Sequence, residues 1–181
     1  LVKEIELIDL SHKILSKEIL FDRTLVLVLS ISKVSIIKEK TFARCKNLQV
    51  VNFEENSFLK SIEKGAFSES SINTLIIPSK LEELQNGWCK NTNCLTSVMV
   101  SEDNKNFIFE LIWEDNQILI GKSNVIEDTF DILYYAPRDI KKIIIPPFIK
   151  KISSHAFSNC NQLIKVDFSL CENLLILDKK S

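Results

Sequence analysis

The stretch Leu48–Phe67, LQVVNFEENSFLKSIEKGAF, decides how this chain is read. Leu48 is followed by Val51 and Phe53, then by Asn56, Leu59, Ile62 and Phe67. Val51 and Phe53 stand two apart, so in an extended strand both point to one side. Asn56 falls where the chain must bend, and a side-chain amide at a bend can bond backbone groups that no ladder satisfies. Leu59, Ile62 and Phe67 then bring the returning chain back over the strand. One such unit cannot bury its apolar face alone and needs a copy on either side.

Copies recur with a period near 23. The anchor appears as Val2, Leu25, Leu48, Ile72, Leu95, Ile140 and Leu163, in steps of 23, 23, 24, 23, 45 and 23 residues. The long step is close to two periods. Paired apolar positions follow the anchors: Ile5/Leu7, Val51/Phe53, Leu75/Ile77, Val98/Val100, Ile143/Ile145 and Val166/Phe168. In the second copy Val28 is followed by Ser30, and Leu27/Leu29 is the rival pair. An aromatic closes most copies: Phe42, Phe67, Trp88 and Phe157, with Phe21 a weaker match. Each copy should give a short strand, a bend, a second extended piece and a short helical turn around the aromatic.

Two forms of the copy occur. Leu48 and Leu163 open a long form, in which Cys171 takes the place of Asn56. Ile72 and Ile140 open a shorter one, in which Pro78 or Pro146 ends the strand because proline has no N–H to give a ladder. The pattern I-P-x-x-I-x-x-I-x-x-x-A-F-x-x-C in this second form resembles the repeat of BspA-like leucine-rich-repeat surface proteins. Asn104 to Phe107 followed by Asp115-Asn116-Gln117-Ile118-Leu119 resembles that family's signature as well, with Asn116 where glycine is usual and Trp88-Cys89 in place of Ala-Phe. The resemblance covers about Leu25 to Leu177. It implies an α/β, β-rich fold: a right-handed leucine-rich-repeat solenoid with parallel strands on one face. It also implies a non-catalytic module at the cell surface or outside the cell, in adhesion to host, matrix or other cell-surface proteins. The rival readings are a structural spacer within a longer solenoid and an intracellular leucine-rich-repeat scaffold.

The expected organisation is a single solenoid over 1–181 with a hairpin-like insert at about 104–139, where FIFELIW and QILI are strand-like around Glu114-Asp115-Asn116. The chain opens on Leu1 and its last copy breaks off at Ser181, which reads as a fragment of a longer solenoid. A net charge of −1 offers no electrostatic reason to expect nucleic acid or an anionic membrane. No apolar run approaches the ~20 residues of a membrane span. No targeting segment is visible, and no N-x-S/T sequon occurs.

Chemistry is sparse. Gly121-Lys122-Ser123 lacks the earlier glycine of a phosphate-binding loop, Asn116 standing there, and a turn after a hairpin strand is the simpler reading. The two histidines, His12 and His155, have no repeat-equivalent Cys, Asp or Ser partner, so neither a catalytic nor a metal site is expected and no cofactor is implied. Glu54-Glu55, Glu82-Glu83 and Glu114-Asp115 read as solvated charge. Cys45 and Cys160 each lie three residues after a closing aromatic, a position expected to face the core. Counting rungs puts them roughly 24 Å apart, beyond disulfide reach. Cys89 and Cys94 are close enough in sequence to bond, and C-x4-C without a second pair is not a zinc signal.

Alternation along each strand assigns an outward strip as the candidate protein-binding surface: Leu27, Leu29, Val50, Asn52, Thr74, Ile76, Ser97, Met99, Lys142 and Ile144. Its middle is apolar, which marks an interaction site if the side chains stack contiguously. Two blander readings compete: strands favour β-branched residues wherever they occur, or the 104–139 hairpin covers the strip.

Overall fold

The structure, a computed structural model, describes residues 5–9, 14–15, 26–31, 33–54, 56–112 and 116–178, with side chains described at 33–54, 56–109 and 117–178. It divides into two compact units, Leu1–Asn104 and Lys105–Ser181. The strands of the first are β1 (Ile5–Asp9), β2 (Ile14–Leu15), β3 (Val26–Ile31), β4 (Ile36–Ile37), β5 (Leu48–Phe53), β6 (Ser61–Ile62), β7 (Thr74–Ile77), β8 (Glu83–Leu84) and β9 (Ser97–Val100). The second holds β10 (Phe107–Ile112), β11 (Asn116–Lys122), β12 (Phe130–Tyr135), β13 (Lys142–Ile144), β14 (Lys151–Ile152), β15 (Lys165–Asp167) and β16 (Ile176–Leu177).

In the first unit the strands alternate between two parallel sheets, ordered β1-β3-β5-β7-β9 and β2-β4-β6-β8. The first four coils therefore give one strand to each sheet, β9 joins the first alone, and the space between the sheets is the core. Leu48, Val51, Leu59, Ile62, Phe67, Ile72, Leu75, Ile77 and Leu81 are all 0% exposed, so the repeated apolar columns are stacked and dry. Phe53, read as a core position, is only half-buried.

The third side of the coil differs from the expected helical turn. No helix occurs among the described residues. Four coils instead carry two left-handed residues four apart among the described residues: Lys40/Arg44, Gly65/Glu69, Gly87/Asn91 and His155/Asn159, with φ between 57° and 70°. A left-handed residue interrupts a right-handed helix. The chain forms separate i→i+3 turns such as Ala43 N–H to Lys40 O at 3.1 Å and Ser68 N–H to Gly65 O at 3.0 Å. The remaining amides bond across coils: Phe42 and Arg44 N–H donate to Ala66 and Ser68 O, and Phe67 and Glu69 N–H donate to Trp88 and Lys90 O, at 2.8–2.9 Å. Helical hydrogen bonds within one coil are thus exchanged for bonds that tie successive coils together.

Those bonds set a register that corrects the reading of Trp88. Phe42 aligns with Phe67, and Phe67 aligns with Cys89, so Trp88 occupies the place of Ala66. The small-then-large pair Ala66-Phe67 becomes the large-then-small pair Trp88-Cys89, both members buried. Swapping the order keeps the combined bulk in the core, the kind of compensated change that packing tolerates. Phe42 stacks on Phe67 with centroids 5.2 Å apart, and Trp88 meets Phe67 edge-on at 6.4 Å. Phe21 lies outside the described residues.

Asn56 is exposed, and the buried polar residue at that bend is Ser57, whose Oγ accepts from Leu59 N–H at 3.3 Å. Cys171, read as the equivalent of Asn56, does donate to backbone, to Ile149 O with Sγ at 3.6 Å.

In the second unit β10, β11 and β12 form an antiparallel meander, and β12 runs parallel beside β14, which pairs with β16. The meander ends on β12, where Ile132 and Leu133 stand opposite Lys151 and Ile152 of β14. Gly121 explains its own identity: an added Cβ would stand 2.7 Å from the Phe107 ring and 2.8 Å from Tyr134, which meet edge-on at 5.4 Å. β13 and β15 pair in parallel. Ile143, Ile145, Ile149 and Ile152 line the core of this unit with Ile118, Ile120 and Leu133.

Candidate protein-binding face

Backbone register decides which strip residues share a row. Val28, Val50, Thr74 and Ser97 are successive partners across β3, β5, β7 and β9. Ile76 and Met99 are partners in the next outward row, and Ser30 faces Asn52 on the other side of β5. A register shift between Leu27 and Val28 puts Leu27 opposite Leu48 and Leu29 opposite Val51, both fully buried. Val28 and Ser30 of β3 are therefore the partners of Val50 and Asn52, and the pair Leu27/Leu29 is at the register of the buried Leu48 and Val51. One extra residue at a bulge shifts alternation by one, which exchanges the two faces. Leu7 is in turn the register partner of Val28.

Val50, Asn52, Thr74, Ile76 and Ser97 are half-buried, while Met99 is 47% exposed. The alternating partners Val51, Leu75, Ile77 and Val98 are buried. The face of the first unit thus mixes aliphatic, thioether, hydroxyl and amide groups, with no ionisable side chain among Val50, Asn52, Thr74, Ile76, Ser97 and Met99. Lys142 and Ile144 belong to the second unit, where their register partners are Lys165 and Asp167. That face is charged: the Lys165 ammonium and the Ser169 amide hold the Asp167 carboxyl well below the usual carboxylate range.

An exposed aromatic escaped the strip assignment. Lys60 N–H donates to Ser35 O and Glu82 N–H to Lys60 O, which aligns Lys33, Phe58 and Lys80 two residues earlier on successive coils. Phe58 is 55% exposed, with the Lys80 ammonium 4.5 Å from its ring centroid. The signal in the sequence was a phenylalanine directly before the core residue Leu59, where the next coil has a lysine before Leu81.

Several buried polar groups serve the backbone of the coils. Cys45, Ser70 and Thr92 occupy one buried position on successive turns of the first unit, and Cys160 the equivalent place in a turn of the second, each with its amide on the carbonyl three residues back. Ser70 and Thr92 add a hydroxyl bond to the same carbonyl, at 2.8 and 2.6 Å. Burial pushes the Cys45 thiol up to about 11 and the Cys160 thiol upward as well. None of the five cysteines is in a disulfide, Cys89 being buried and Cys94 exposed. Ser123, the last residue of the Gly-Lys-Ser stretch, donates from N and Oγ to the buried Asp131 carboxylate at 2.9 and 2.8 Å, and Lys150 approaches it at 3.5 Å. That is a loop anchor. Among the described residues no group of three metal-capable side chains occurs, and no helix is long and apolar enough to cross a membrane.

Parallel strand rows, dry apolar columns and interlocked turns define a leucine-rich-repeat solenoid, a class whose working surfaces are its stacked faces. The BspA type leucine rich repeat region matches in six copies, over residues 17–136 and 131–179, and the chain belongs to that family. Two solved structures share the fold. A leucine rich cell surface protein from Faecalibacterium prausnitzii superposes with a TM-score of 0.61 at 18% identity, over 83% of this chain and 41% of that one. A leucine-rich repeat protein from Eubacterium ventriosum gives 0.63 at 20% identity, over 83% and 43%. The chain thus spans less than half of either relative. No curated protein matches it significantly.

Proposed function

We propose that this chain is a non-catalytic protein-binding module and that the outward rows of the first unit form its contact surface. The observation that carries the reading is the uninterrupted outward row Val50–Thr74–Ser97, flanked by Ile76 beside a half-exposed Met99, on strands held in register by the sheet. A face without ionisable groups suits a protein partner whose contact is apolar and hydrogen-bonding, and gives nothing to a nucleic acid backbone. Family membership and the cell-surface description of the Faecalibacterium relative support a role at the cell surface, in adhesion or recognition. The two units are read as one solenoid in which the β10–β11–β12 meander replaces part of a coil. The second reading is a spacer within a longer solenoid, favoured by the charged face of Lys142, Lys165 and Asp167 in the second unit. Binding to a panel of immobilised matrix and cell-surface proteins, compared between wild type, Met99→Asp and Ile76→Asp, separates the readings. Loss of binding by folded variants supports the module, and folded variants that bind as wild type leave the spacer.

A further inference from the structure

We draw no further inference here: the strongest candidate, the apolar end of the last coil, where Ile164, Phe168, Leu170, Leu175 and Leu177 lie exposed beside β15 and β16, carries nothing because nothing in the structure shows what covers it.

Discussion

The Asn104 side-chain amide donates to the Pro78 carbonyl at 2.6 Å, reaching a bend 26 residues earlier, and its Nδ2 also lies 3.2 Å from Leu81 O. Pro78 ends β7, so the carbonyls beyond it have no strand to accept from. Asn104 is 7% exposed and supplies the donor from the following coil. A residue that looks like part of a motif is here a plug for backbone acceptors.

Replacing Asn104 by Leu should therefore cost about 1–2 kcal/mol in urea unfolding, because it removes the buried cross-coil bond to Pro78 O, which then keeps only the Leu81 amide at 3.2 Å. Asn104→Asp should be as damaging at neutral pH, since an ionised carboxylate only accepts. Its deficit should shrink as the pH is lowered and the carboxyl regains a proton to donate. An Asn104→Leu protein with wild-type stability would refute this role.

The left-handed turns give a prediction of opposite sign at two equivalent positions. Lys40, with φ 59°, and Gly65, with φ 65°, begin the same turn on adjacent coils. Lys40→Gly should raise stability by about 1 kcal/mol by removing the left-handed penalty of a Cβ. Its exposed ion pair with Glu39 contributes little. Gly65→Ala should lower stability by about 1–2 kcal/mol, because the new Cβ would stand 2.8 Å from Ser68 Oγ in an unfavourable backbone region. Equal effects of the same sign would contradict the turn geometry.

Cys45 predicts a pH dependence. Its thiol sits at about 11 in the fold against 9.0 for an ordinary cysteine, so between these values the folded state holds the proton more tightly than the unfolded one. Stability should fall as pH rises through that window, by about 3 kcal/mol at most for a two-unit difference. Cys45→Ser, which copies Ser70 on the next coil, should fold with a change of about 1 kcal/mol and lose this slope. Cys45→Asp should cost several kcal/mol, since a buried charge has no partner there. Native Cys45 should resist alkylation and react after unfolding; rapid labelling of the native thiol would place it outside the core.

On the proposed contact face, Met99→Asp should change stability by less than about 0.5 kcal/mol because the side chain is half in solvent. Ile76→Asp, at a half-buried site, should cost about 1–2 kcal/mol. Circular dichroism should remain strand-dominated in both. Cooperative unfolding of either variant at room temperature would make that row part of the core.

The repeat itself was legible from local pattern. Leu48, Val51, Leu59, Ile62 and Phe67 recur at near-constant spacing, and a stacked coil buries the same positions on every rung, so one copy determines the core columns of its neighbours. Gly121 and the Ser123 anchor were not legible, because each depends on side chains brought in from β10 and β12. The Cys45–Ser70–Thr92–Cys160 position was half legible: the two cysteines stood three residues after an aromatic, whereas the equivalence of Ser70 and Thr92 needed the cross-coil hydrogen bonds.

By itself the sequence determined the period, the two forms of the repeat and the buried identity of most apolar positions, all of which follow from spacing along one chain; the family came from the resemblance of its motifs. Tertiary structure decided the register of β3 against β5, whose extra residue Gln49 leaves Val28 and Ser30 paired with Val50 and Asn52, and Leu27 and Leu29 paired with buried Leu48 and Val51. It decided that Cys89 aligns with Phe67, that Ser57 rather than Asn56 is buried at the bend, and that left-handed turns stand where a helical turn was expected. Each of these is fixed by which backbone groups the adjacent coils offer. A single coil's residues permit either register and either turn; only the hydrogen bonds of the stacked neighbours select one.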